Sequence, residues 1–225
     1  MSKDAIVLLS GGLDSTTVAA MAKAEGYNLH ALSFQYGQRH QAELLAAQKV
    51  AKMLDIRDHR IATIDLRLFG GSALTADIPV PKDREPAQDI PITYVPGRNT
   101  IFLSYALAFA EVTASEALFI GVNSMDYSGY PDCRPEYIAA FHKLADLATR
   151  HTVTGHKVSI KAPIQYMTKA EIVKTGLALG VDYSITLTCY DADAAGRSCG
   201  RCDACKLRLA GFAANGLKDP APYRP

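Results

Sequence analysis

Ser10, Gly11, Gly12, Asp14, Ser15 and Thr16 fall within one short run, Leu8-Leu9-Ser10-Gly11-Gly12-Leu13-Asp14-Ser15-Thr16, where an apolar stretch gives way to a helical one. Adjacent glycines let the backbone curl until successive N–H groups converge on one anion, and the start of the following helix adds its partial positive charge. The chemistry this suits is phosphate binding. No Gly-Lys-Ser/Thr follows, so a lysine grip of the Walker kind is not part of it.

A second cluster lies near the other end. Cys189, Cys199, Cys202 and Cys205 are spaced C-x9-C-x2-C-x2-C, with Gly200 inside the tight part. Four thiols this close read as a closed tetrahedral zinc site, which leaves no open position for catalysis and so staples the segment to its domain. An iron–sulfur cluster uses the same ligands. Zinc is favoured because residues 190–198 are polar and nothing else in the chain points to redox work. Cys133 stands apart, and the expectation for it is a packed thiol, with nucleophile as the minority reading.

Three polar segments lie between these landmarks. Tyr36-Gly37-Gln38-Arg39-His40 follows a strand, and Arg39 suits an ATP phosphate or a solvated helix start equally well. Val95-Pro96-Gly97-Arg98-Asn99 opens a helix, where Arg98 can grip a carboxylate or phosphate with two parallel bonds. Residues 121–132 mix small, polar and aromatic side chains, which suits a pocket for a planar heterocycle. Asp126 or Asp132 could accept adjacent N–H donors of a guanine-like base.

These residues need elements to hold them. Strand-like runs at residues 6–10, 29–34, 61–64 and 118–120 alternate with helical runs at 15–25, 42–54, 99–113 and 168–180. That order predicts an α/β fold with a parallel sheet covered on both faces, and ligands at the carboxyl ends of its strands. The 99–113 run is apolar nearly all round and reads as a buried helix. Thr168-Lys169-Ala170-Glu171 has capping-box spacing. Residues 69–96 hold five of the 11 prolines, so a functional flap or mobile segment is expected there. The tail from Asp219 is expected to end the fold without adding to it.

The 225 residues, 48% hydrophobic, suffice for one core with an appendage. A net charge of +1, from 24 basic and 23 acidic residues, argues against a nucleic-acid backbone as main ligand. No long apolar run or secretory layout is present, so a soluble cytoplasmic protein is expected.

Taken together, the segments resemble the 7-cyano-7-deazaguanine synthase family, ligases of queuosine precursor synthesis among the PP-loop ATP pyrophosphatases. The matching pieces are residues 10–17, 36–40, 95–99, 126–134 and 187–190 with the three later cysteines, in the family's order. Leu13 replaces a common glutamine and Gln35 a frequent aspartate. The second departure puts a metal or ribose role at position 35 in doubt.

The resemblance implies a doubly wound, mostly parallel sheet of the adenine nucleotide alpha hydrolase-like kind over residues 1–185, with a zinc-binding element at 186–225 packed on it. It implies that 7-carboxy-7-deazaguanine, ammonia and ATP give the nitrile, through an adenylated acid and an amide. Ser10, Asp14 and Arg98 would be catalytic, with Asp14 a Mg²⁺ partner. ATP would lie on Leu9, Ser10, Gly11, Gly12, Leu13, Asp14, Ser15, Thr16, Thr17, Val18, Ala19 and Arg39. Substrate would meet Arg98, Asn99, Asp126, Tyr130, Asp132 and Arg134, and zinc would be structural on the four cysteines. A homodimer is implied, without direct nucleic-acid or membrane partners. The rival readings are a tRNA-thiolating PP-loop enzyme, which needs a metal-free thiol pair and a basic surface, and a nucleotide-regulated zinc-knuckle binding module.

Overall fold

The computed structural model describes residues 3–38, 42–84, 89–125 and 130–225. Five strands, β1 (Lys3–Leu8), β2 (Tyr27–Gln35), β3 (Asp58–Thr63), β4 (Ala117–Phe119) and β5 (Ser159–Lys161), form one sheet in the order β3-β2-β1-β4-β5. Every pairing is parallel. Successive β1 residues face opposite sides of the sheet, and both sides are apolar. Ile6 and Leu8 belong to one core, Ala5, Val7 and Leu9 to the other. A strand buried on both faces has to read as an unbroken apolar run, as this one does.

α1 (Leu13–Ala24) crosses from β1 to β2, and α2 (Ala42–Met53) crosses from β2 to β3. α3 (Arg98–Thr113) and α4 (Pro135–Ala148) supply the first core, where Phe34 and Phe102 stack with ring centroids 3.9 Å apart. The short α5 (Arg150–Val153) follows α4, and α6 (Lys169–Ala178) and α7 (Asp203–Ala213) complete the helices. α6 opens with the full capping box: Thr168 Oγ1 accepts from Glu171 N–H, and Glu171 returns a carboxylate to Thr168 N–H. The chain runs outward from β1 in one direction through β2 and β3, then returns to the other side at β4. The crevice at that reversal, above the β1 and β4 carboxyl ends, is where such sheets take ligands.

Two expectations, on the 99–113 helix and the tail, are corrected, and the proline-rich stretch gains a place. α3 is not buried all round: Tyr105 and Val112 are exposed, because the helix covers one sheet face and turns its far side to water. The proline-rich stretch, in its described residues, packs against the domain as a wall, with Ala73, Leu74, Val80 and Val95 buried. Asp83 N–H donates to Arg201 O at 2.9 Å, and Lys82 Nζ to Asp191 at 2.7 Å, tying that wall to the cysteine segment. The tail does add to the fold. Tyr223 bridges Ser198, and Asp219, 6% exposed, pairs with buried Arg208.

Candidate active site and metal centre

β1 ends where Ser10 turns its amide from the ladder to Ser15 Oγ, at 3.2 Å. The Ser10 and Ser15 hydroxyls lie 2.9 Å apart, and Gly12 N–H reaches Ser10 Oγ at 3.3 Å. Gly11 has φ +81°, and a Cβ there would lie 2.4 Å from Ala47 N in α2. Both the backbone region and the space therefore demand glycine. Gly11→Ala should lose about 3 kcal/mol or more of stability, from left-handed strain plus overpacking against backbone. Urea denaturation checks this, with Gly12→Ala as the milder control, since its nearest neighbour would be Ser10 Oγ at 3.4 Å.

The loop forms one side of a cavity of about 300 Å³. Leu9, Ser10, Gly12, Leu13, Asp14 and Ser15 line it, with Arg98, Asn99 and Tyr130 from across the sheet edge. The Gly11 carbonyl instead accepts from Leu187 N–H, at 2.9 Å. Thr16, Thr17, Val18 and Ala19 are fully buried, with side chains in the core rather than the cavity. Thr16 bonds Gly12 O and Thr17 bonds Tyr183 OH. Asp132 is buried beneath the cavity wall, where its carboxylate accepts from Asn99 N–H at 3.0 Å and fixes the start of α3. Arg134 is exposed and donates to Pro131 O, so it does not line the cavity. Arg39 and Asp126 lie outside the described residues.

Besides Asp203 and Arg208, the charged residues lining the cavity fall in two groups. Near the loop, Lys169 Nζ meets both Asp14 oxygens, at 2.7 and 2.9 Å. Opposite, Arg98 stands among Tyr36, Tyr130, Tyr190 and Glu43. Burial, opposed by the Arg98 charge, pushes the Glu43 carboxyl up to about 7. Burial and the Glu43 charge push Tyr36 to about 12, so it is a neutral phenol at physiological pH. Cys133 is raised to about 12 by burial and by Asp132. Asn99 Nδ2 lies 3.3 Å from its sulfur, and Cys133 is a buried, packed thiol in the cavity wall.

The raised pKa of Glu43 makes stability depend on pH. Between 4.5 and about 7 the folded state keeps a proton that the unfolded chain releases, so stability falls as pH rises through that window. Glu43→Gln should match wild type near pH 4 and exceed it by about 3 kcal/mol at pH 8, read from urea midpoints.

The four cysteine sulfurs all lie within 4.8 Å of one another. A tetrahedral ion at about 2.3 Å from each sulfur needs edges of about 3.8 Å, so a small closure suffices. Backbone amides of Asp191 and Cys199 point at Cys189 Sγ (3.3 and 3.2 Å), and that of Cys202 at Cys199 Sγ (3.3 Å). Lys82 Nζ adds a cationic donor 3.3 Å from Cys199 Sγ. Donors converging on sulfur suit thiolates, and the set fits a four-coordinate metal.

The family model described as "Queuosine biosynthesis protein QueC" matches residues 4–216. The chain belongs to the QueC family. A relative from Kineococcus radiotolerans named 7-cyano-7-deazaguanine synthase is 63% identical over 227 residues, covering 100% of this chain and 99% of its own. One of the same name from Paramagnetospirillum magneticum is 62% identical, covering 98% and 99%. Two solved structures share the fold. An NMN synthetase from Francisella tularensis has TM-score 0.51 at 19% identity, over 96% of this chain and 78% of that one. A 4-thiouridine synthetase solved with RNA and ATP has TM-score 0.51 at 14% identity, over 98% and 47%. At these identities the likeness shows fold alone.

In this QueC-family chain, sequence reasoning missed several residues that the fold brings to the cavity: Glu43, Lys169, Tyr190 and Arg208. Lys169 had a usable signal. It is the first residue of a capped helix, a position from which a long side chain can turn toward a neighbouring helix start. Glu43 had none, since one turn of α2 looks like any other amphipathic start.

Proposed function

We propose that this protein is an ATP-dependent carbon–nitrogen ligase that converts 7-carboxy-7-deazaguanine and ammonia to 7-cyano-7-deazaguanine, supplying queuosine synthesis in the cytoplasm. The observation that carries the reading is one cavity holding both an anion loop at the start of α1 and, opposite it, a cationic fork at the start of α3. That arrangement suits an acid that must meet a triphosphate. The identities of 62–63% to relatives named for this reaction support it.

Hydroxide is a poor leaving group, so the acid oxygen attacks α-phosphorus and pyrophosphate departs. The Ser10–Ser15 backbone and Lys169 neutralise the departing charge. Arg98 orients the carboxylate, and Asn99 and Tyr130 border the space for the heterocycle. Ammonia then displaces AMP to give an amide. The amide oxygen is activated in the same way, and loss of AMP and two N–H protons leaves the nitrile. Magnesium carried by the polyphosphate would supply further charge neutralisation. Asp14 fits it, since each oxygen bonded to Lys169 retains another lone pair.

In this reading zinc on Cys189, Cys199, Cys202 and Cys205 is structural, residues 186–225 act as an element clasped to a 1–185 nucleotide domain, and the enzyme works as a homodimer. Mass analysis of an incubation with ATP, ammonia and 7-carboxy-7-deazaguanine tests the reaction. Nitrile with AMP supports it; nucleotide binding without turnover overturns it.

A further inference from the structure

α1 begins without a side-chain cap from its own neighbourhood. Its first helical amide, Leu13 N–H, is met from far along the chain by Thr188 Oγ1, at 3.1 Å. The same oxygen accepts from Arg208 Nη1 at 3.2 Å. Arg208 has little freedom in this. It is 2% exposed, and its remaining donors go to both Asp219 oxygens (2.7 and 2.9 Å), Thr186 Oγ1 (2.7 Å) and Tyr183 O (2.9 Å). Asp219 is held in turn by Tyr223 OH, at 2.6 Å.

A threonine hydroxyl has two lone pairs and one hydrogen. Here both lone pairs face N–H donors, so the hydrogen must turn away from them, and among the described residues it has no acceptor. Thr188 lines the cavity beside Ser10 and Gly12, and a Cβ on Gly12 would lie 3.8 Å from its Oγ1. An ordinary hydroxyl rotates between donating and accepting. This one is fixed as a donor at the wall where the anion loop opens, which is the sense a phosphate oxygen requires.

We propose that Thr188 is a further ATP-binding residue, giving its hydroxyl hydrogen to a polyphosphate oxygen while its lone pairs brace the start of α1. Arg208 is then a positioning residue, neutralised by Asp219 and acting on the ligand through the Thr188 rotamer. The inference rests on the reading of the Ser10–Ser15 loop as the ATP site.

Calorimetric titration of the metal-loaded protein with ATP and, separately, adenosine tests it. Thr188→Val, which keeps the shape without the hydroxyl, should weaken ATP about 10-fold to 100-fold and leave adenosine within about twofold. Thr188→Ser should stay within about threefold of wild type for ATP. Thr188→Ala repeats the test in a smaller side chain should valine disturb the fold, with metal content and melting temperature followed in each variant. Wild-type ATP affinity in Thr188→Val or Thr188→Ala, a parallel loss of adenosine, or a serine variant as weak as valine would overturn the assignment. Wild-type protein that bound no ATP would sink the parent reading, and this inference with it.

Discussion

Arg98→Ala should lower kcat/KM for the carboxylate substrate by about 10²-fold to 10³-fold, the effect of removing a charge-assisted double hydrogen bond from a partly desolvated site. Three features of the structure make Arg98 an effective cation for an anionic ligand. Arg98 opens α3, whose start is fixed by Asp132 through Asn99 N–H, so the guanidinium projects from a rigid base. It stands among the hydroxyls of Tyr36, Tyr130 and Tyr190, and burial raises the Tyr36 and Tyr190 phenols so that they do not cancel its charge. Its other neighbour, Glu43, is pushed up to about 7 and so is only part-ionised near neutrality. Arg98→Lys should recover little, because an ammonium cannot present two parallel N–H bonds. The melting temperature should hold within a few degrees, since the fold does not need a half-buried cation there. Normal turnover of Arg98→Ala at limiting acid would remove Arg98 from the site.

Arg98 was legible in the sequence, and so was the loop it faces. The β1–loop–α1 unit could be read because its signals are local: an apolar strand, two glycines and a helix, each readable within a few residues. The cysteine cluster was legible because thiol spacing encodes a tetrahedron directly. The boundaries shifted for nameable reasons. β1 stops at Leu8 rather than at residue 10 because the Ser10 amide bonds Ser15 instead of the neighbouring strand. β5 is three residues with one buried side chain, too short to show a period. α4 begins at a proline directly after the Pro131–Cys133 turn, where loop composition hides the helix. The cavity's far wall was least legible. Glu43, Lys169 and Arg208 enter it from three separate helices, and only packing says which turn of each faces inward. The tail misled because Pro-rich composition reads as an ending, whereas Asp219 is needed to neutralise a buried arginine.

Cys202→Ser should abolish stoichiometric metal binding and destabilise the protein by at least about 3 kcal/mol, since metal binding to a folded four-thiolate site is itself folding free energy. Cys202 is fully buried, so the damage is not absorbed by solvent. It should also spread in two directions. Cys189 directly follows Thr188 and Leu187, which bond Leu13 N–H and Gly11 O at the anion loop. Loosening the cluster therefore loosens the loop, and ATP affinity should fall about tenfold or more even at temperatures where the sheet stays folded. On the other side, Lys82 and Asp83 tie the proline-rich wall to Cys199 and Arg201. That wall carries Leu74, Pro91 and Thr93 to the cavity, so affinity for the heterocycle should drop as well. Chelation of the wild-type metal should reproduce both losses, and re-addition should reverse them. Elemental analysis, calorimetry of unfolding, and titration with ATP and with the heterocyclic acid on the same samples check the four claims. A Cys202→Ser protein with one metal per chain and unchanged melting would mean that three thiolates suffice, and that the cluster is not the clasp between the sheet and the C-terminal segment.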